Sequence, residues 1–176
     1  MVHIRKTLFI LTTVIIVSAC GFHLRGINGN NRFPFQKIYV QCDNVIICSN
    51  LTNAVKIQDL ATLLPSPESA DVTIQLFNEQ TKRDPQGFNG AGRISSYLLT
   101  YQVQARILQK NKQIGNDIKV AVSASMNYSD SILLAVNQNE AVFWTNLHEN
   151  ATNQLIRQLI YFKPYKSVNT NASNIK

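Results

Sequence analysis

The clearest regularity in the chain is a stretch where apolar and polar residues change places at every step. Between Ser96 and Ile107, one face holds Tyr97, Leu99, Tyr101, Val103, Ala105 and Ile107, and the other holds Ser96, Leu98, Thr100, Gln102, Gln104 and Arg106. A period of two predicts a strand with one face on a core. Shorter alternations flank it. Ile38 and Val40 sit between Lys37, Tyr39 and Gln41, and Val72, Ile74 and Leu76 between Thr73, Gln75 and Phe77. Ile118, Val120, Val122, Ala124 and Met126 point one way, with Lys119, Ser123, Ser125 and Asn127 outward. Asp84-Pro85 with Gly87, Gly90 and Gly92 predicts a mobile hairpin loop over 84–92, and Lys110-Asn111-Lys112 a second turn.

Two segments carry the wider helical spacing. Leu51, Ala54, Val55, Leu60 and Leu64 form the first, with Ser49-Asn50 as the candidate cap and Pro65 and Pro67 as the stop. Trp144, Leu147, Ala151, Leu155, Leu159 and Phe162 form the second at steps of three and four, opened by Asn137 or Asn139 and closed by Pro164. The order strand, helix, three strands, helix predicts an α+β layer, with two helices packed on a mostly antiparallel four-stranded sheet.

The first residues follow a different pattern. His3, Arg5 and Lys6 precede an apolar run from Leu8 to Val17, broken only by Thr12 and Thr13. That is the layout of a secretory signal, and it is shorter than the roughly 20 apolar residues a bilayer crossing needs. The run ends in Val17-Ser18-Ala19-Cys20-Gly21, which resembles the lipobox of bacterial lipoproteins. The resemblance implies cleavage before Cys20, with an S-diacylglyceryl group and an N-acyl chain on that residue. Several acyl chains suffice for stable membrane attachment, and Gly21 in place of Asp implies the outer membrane.

The expected layout is therefore a signal at 1–19, a lipidated tether at 20–34, one domain at 35–165 and a disordered tail at 166–176. Removing the signal from 176 residues leaves 157, enough for one domain with a core. The signal holds two of the 17 basic residues and none of the ten acidic ones, so the remainder carries +5. That excess suits an anionic lipid or protein surface, and a secreted lipoprotein rarely meets nucleic acid. Abundant Asn and Gln beside only 15% charged residues imply a neutral polar exterior. With Cys20 lipidated, Cys42 and Cys48 either close a small disulfide loop or remain two buried thiols. Neither a CxxC pair nor a His/Cys cluster with metal spacing is present, so no metal is expected.

Immediately after the lipobox cysteine, Gly21-Phe22-His23-Leu24-Arg25 resembles the start of the lipopolysaccharide-assembly lipoprotein family, LptE. Gln154-Leu155-Ile156-Arg157 resembles the end of that family's second helix, and the element order agrees. The resemblance implies a plug inside the outer-membrane barrel LptD, anchored on the periplasmic side of the inner leaflet, that helps carry lipopolysaccharide to the surface. The family's basic lipopolysaccharide-contacting positions fall here near Gly90 and at Val136, neither basic. Arg93, with Lys82 and Arg83 across the hairpin, is the substitute set. The rival expectation is a free periplasm-facing lipoprotein that binds lipid or peptide.

No catalytic residues are expected. Gly-x-Ser-x-Gly, P-loop and dinucleotide-binding patterns are all missing from the sequence. His148 lies beside the apolar helical stripe and reads as a structural histidine. Glu140 and Glu149 are nine positions apart on one helix, and Asp71, Asp84, Asp117 and Asp130 fall near strand ends, where turn chemistry explains them.

Overall fold

A computed structural model gives the fold and describes residues 32–42, 45–128 and 133–164. The signal, Cys20, most of the tether, Ser129-Asp130 and the tail lie outside the described residues. The elements are β1 (Lys37–Cys42), α1 (Cys48–Ile57), β2 (Thr62–Leu63), β3 (Val72–Phe88), β4 (Ile94–Gln109), β5 (Lys112–Gln113), β6 (Ile118–Asn127) and α2 (Leu133–Ile160).

The sheet is mostly antiparallel, as expected, but it has six strands instead of four and is mixed. Its order is β2-β1-β3-β4-β5, with β6 also paired to β4. The four expected strands form its bulk, and β2 and β5 are two-residue additions too short to carry any periodicity. Parallel pairing enters through β1, which runs parallel to both β2 and β3. That follows from its connection: α1 carries the chain back over the sheet before β2 begins, and a parallel pair requires such a crossover.

The hydrophobic alternation determines which face is buried. Leu99, Tyr101, Val103, Ala105 and Ile107 of β4 are all 1% exposed or less, and join Ile38, Ile74, Leu76, Val120 and Met126 in one core with residues of both helices. From α2 the core takes Leu147, Ala151, Leu155, Ile156 and Leu159, and from α1 Leu51 and Val55. Phe33 is also buried, and its N–H donates to the Leu60 carbonyl at 2.9 Å.

Helix ends differ from the sequence expectation. Ile47 occupies the cap of α1 with no side-chain hydrogen bond, so Ser49 and Asn50 lie inside the first turn. The helix stops at Ile57, well before Pro65. Asp59 adopts φ 50, Leu60 N–H reaches back to Val55 O and Asp59 N–H to Lys56 O. These are the paired bonds of a left-handed helix terminus, with Asp at the position usually held by Gly. Leu60 is thereby buried without being helical, and Leu64 follows β2, its N–H donating to the Ile38 carbonyl at 2.9 Å. Likewise α2 begins at Leu133, so Asn137 and Asn139 are interior positions.

The two strand connections are tight. Lys110 (φ 49) and Asn111 (φ 61) are both left-handed, the conformation of a two-residue hairpin whose twist matches its strands. The expected loop over 84–92 is mostly strand: β3 continues through Phe88 and β4 resumes at Ile94, leaving a turn of five residues.

Candidate functional site

The β3–β4 hairpin positions every basic residue singled out from the sequence. Its inner half is interrupted by Asn78 and Glu79, which together oppose the single residue Val103 between the pairs Phe77–Gln104 and Gln80–Gln102. Asn78 takes φ 52 there. Such a bulge adds one residue and so shifts the alternation of β3 by one: Ile74 and Leu76 lie opposite core positions of β4 before it, Thr81 and Arg83 beyond it. It also turns the Glu79 carboxylate inward, where it accepts the Ile46 N–H at 3.0 Å and the Tyr101 hydroxyl. Burial, reinforced by the Glu79 hydrogen bond, pushes the Tyr101 phenol well above its ordinary range.

Against Tyr101 lies His148 of α2, edge-on with ring centroids 4.7 Å apart, and Trp144 stacks beyond it at 6.4 Å. His148 Nε2 is buried and has no hydrogen-bond partner among the described residues. Burial holds the imidazole below its ordinary range, with the Glu79 charge opposing. His148 is thus a neutral packing group near pH 7, seated between two aromatic rings. Trp144 Nε1 donates to Glu140 at 3.2 Å, and the second Glu140 oxygen pairs with Arg83 at 3.2 Å. Arg83 in turn lies 4.0 Å above the Tyr97 ring, which meets Tyr128 edge-on at 5.2 Å.

Arg83 is therefore held against α2. Lys82 is its neighbour in the strand and projects to the opposite face, across from Thr100. Arg93 closes the hairpin turn, where Asn89 Oδ1 accepts the N–H groups of Ala91 and Arg93 at 3.0 Å each. The ladder places Arg83 opposite Leu99 and Phe88 opposite Ile94, five steps or roughly 17 Å apart at strand rise. The three candidates share a hairpin but do not converge. Beside Arg93, Phe88 is 63% exposed.

Cys42 and Cys48 are joined by a disulfide that ties the end of β1 to the start of α1, with Cα atoms 6.1 Å apart. Among the described residues, no three His, Cys, Asp or Glu side chains come together as metal ligands would.

The sheet face turned away from the helices, whose polar positions the alternation marks, is left uncovered by the described residues. Successive rows across β3, β4 and β6 read Asp84–Leu98–Ser125, Lys82–Thr100–Ser123, Gln80–Gln102–Ala121 and Phe77–Gln104–Lys119. Amides, hydroxyls and small groups dominate. At one end Arg106 forms a two-pronged pair with Asp117, both contacts 2.9 Å, and lies 4.7 Å over Phe77. The Arg106 guanidinium holds the Asp117 carboxyl below its ordinary range. The signal for the Glu79 bulge was also present: Asn78-Glu79 breaks an alternation that resumes beyond it.

The profile of the family described as "LptE: Lipopolysaccharide-assembly" matches residues 35–159, well over half of the chain. An LPS-assembly lipoprotein LptE from Pectobacterium atrosepticum is 25% identical over 160 residues, covering 88% of this chain and 84% of its own. Two solved lipoproteins share the fold. Lipoprotein B of Nitrosomonas europaea superposes with a TM-score of 0.66 at 23% identity, covering 80% of this chain and 90% of its own. A minor lipoprotein of Acinetobacter baumannii gives 0.60 at 15%, covering 72% and 92%. The chain belongs to the LptE family of lipopolysaccharide-assembly lipoproteins.

Proposed function

We propose that this chain is an outer-membrane lipoprotein, held on the periplasmic side by an acylated Cys20, that fills and matures the lipopolysaccharide-exporting barrel LptD. Family membership supplies the setting. The observation that carries the reading is the uncovered sheet face, where Gln80, Thr100, Gln102, Gln104, Ser123 and Ser125 offer hydrogen bonds without net charge. A barrel lumen is polar, and a plug must match it over a broad area without isolating charges there. Sparse charges on this face, Lys82, Asp84, Arg106 and Lys119, meet that condition.

Within this reading, Arg93 at the hairpin tip and Lys82 on the open face are the cations offered to lipopolysaccharide phosphates. Arg83 is occupied by Glu140 and Tyr97 and serves the domain instead. The rival is a free lipid- or peptide-binding lipoprotein. Its best place is a groove of about 330 Å³ between the helices, lined by Asn50, Asn53, Ala54, Ile57, Glu149 and Asn153 among others.

A photo-crosslinking residue at Gln102 tests the reading. It should form an adduct with a protein of barrel mass in cells, and palmitate labelling should require Cys20. Crosslinking only from the inter-helix groove at Asn53, with none from Gln102, would favour the rival.

A further inference from the structure

Both side-chain amides of α1 lie on one stripe of that helix. Asn53, Ala54 and Ile57 follow Asn50 by three, four and seven positions, and Glu149, Thr152 and Asn153 form a like stripe on α2. The stripes face one another across a groove of about 330 Å³, to which Gln58 adds a further amide. That volume lies within the range of small-ligand sites. Thr152 is buried and its hydroxyl donates to the His148 carbonyl at 2.8 Å, so it forms part of the floor.

The lining restricts what the groove can hold. Among the described residues, its only charge is the Glu149 carboxylate, which repels phosphates and carboxylates. Its apolar part is Ala54 and Ile57 alone, and Ile57 is 85% exposed, too little surface to bury an acyl chain. Peptides dock by adding a strand to a sheet edge, laying a helix in an apolar trough or seating proline against aromatic rings. The described lining offers none of these. What it offers is the amides of Asn50, Asn53, Gln58 and Asn153, each with two N–H donors and one acceptor. Neither these four side chains nor the Glu149 carboxylate is hydrogen-bonded to another described residue.

We propose that the groove between α1 and α2 binds a neutral saccharide. Sugar hydroxyls both donate and accept, as amides do, and two adjacent hydroxyls suit a carboxylate that accepts from both. The C–H face of the ring rests on Ala54 and Ile57, which gives the exposed isoleucine a partner. No hydrogen bond within the protein has to break for the amides to turn to the ligand. The groove belongs to the helix layer, away from the sheet face assigned to the barrel, so the proposal does not rest on that assignment.

Methyl-resolved NMR of the full chain, in a detergent whose head group carries no sugar, tests the proposal. Titration with a neutral hexose trisaccharide, and separately with an N-acetylhexosamine trisaccharide, should shift the Ala54 and Ile57 methyl signals saturably at millimolar concentration. A response to the hexose points to the sugar portion of lipopolysaccharide as the source, and a response to the acetylated sugar points to cell-wall glycan. Asn53→Ala with Asn153→Ala removes two amides at exposed positions, where alanine favours the helix. The double variant should bind about tenfold more weakly with an unchanged circular dichroism spectrum. Gln102→Leu, on the open sheet face, should bind sugar as before. The absence of a saturable shift with either sugar would overturn the proposal, as would a response that survives the double variant at full strength. A shift given by a short peptide or an acyl-chain amphiphile but by neither sugar would overturn it in favour of that ligand. Crosslinking from Gln102 reads the barrel contact separately, so failure of one reading is distinguishable from failure of the other.

Discussion

Tyr101 is fully buried beneath α2, and its hydroxyl donates to the carboxylate of Glu79, which the Asn78–Glu79 bulge turns inward. The same carboxylate accepts the Ile46 N–H, so one side chain ties β4 to the loop that enters α1. Removing the hydroxyl with Tyr101→Phe costs a hydrogen bond to a charged group, about 1.5–3 kcal/mol. Glu79→Ala should cost more, because two donors lose their acceptor. Urea unfolding of the two variants checks both the size and the order.

His148 gives a pH prediction with a definite sign. Its folded value lies below the ordinary 6.5, chiefly through burial. Above that value both states hold a neutral imidazole, and the residue adds no pH dependence. As pH falls below it, the unfolded chain takes the proton first, and stability drops until the folded value is passed. His148→Phe, which also removes the unpartnered Nε2, should flatten the stability profile between pH 7 and 5. An unaltered slope in that window would contradict the placement.

Gly115 is a packing constraint as well as a turn. It takes φ 68, and an added Cβ would stand 2.6 Å from Cζ of Phe162. Gly115→Ala should therefore destabilise by roughly 1–3 kcal/mol through backbone strain and a displaced ring. A thermal melt reads this directly.

The disulfide makes a third contribution at the same corner as Glu79. Cys42 and Cys48 close a loop with a sequence separation of 6, for which chain entropy gives about 2 kcal/mol. The double variant Cys42→Ser with Cys48→Ser should lose that much in urea and speed amide exchange at Ile46.

The two arginines of the hairpin should separate in their effects. Arg93→Glu should weaken lipopolysaccharide binding severalfold. Arg83→Gln should lower stability, through loss of the Glu140 pair and the Tyr97 contact, and leave lipopolysaccharide binding unchanged.

What could be read from the sequence follows physical reach. Tyr97 to Ile107 and Ile118 to Met126 announced their faces because a half-buried strand must alternate, and Leu147 to Leu159 announced theirs because a helix on a sheet needs a stripe. Helix ends were misplaced where tertiary contacts replace local signals. Ile47 starts α1 beside the disulfide without a capping side chain, and Asp59 ends it by adopting a conformation that Gly usually signals. The parallel pairing of β1 depends on where α1 returns the chain, which no local pattern encodes. Lys82 and Arg83 looked equivalent as sequence neighbours, yet strand alternation sends one to the open face and the other under Glu140 and over Tyr97.

Purification of the full chain from membranes in mild detergent, with the mass of its complex determined, tests the central claim most directly. The account predicts recovery with a much larger β-barrel protein, one copy of each, and an unstable barrel when this chain is depleted. Recovery without a barrel, together with a bound small lipid or peptide and an unaffected barrel in depleted cells, would contradict it.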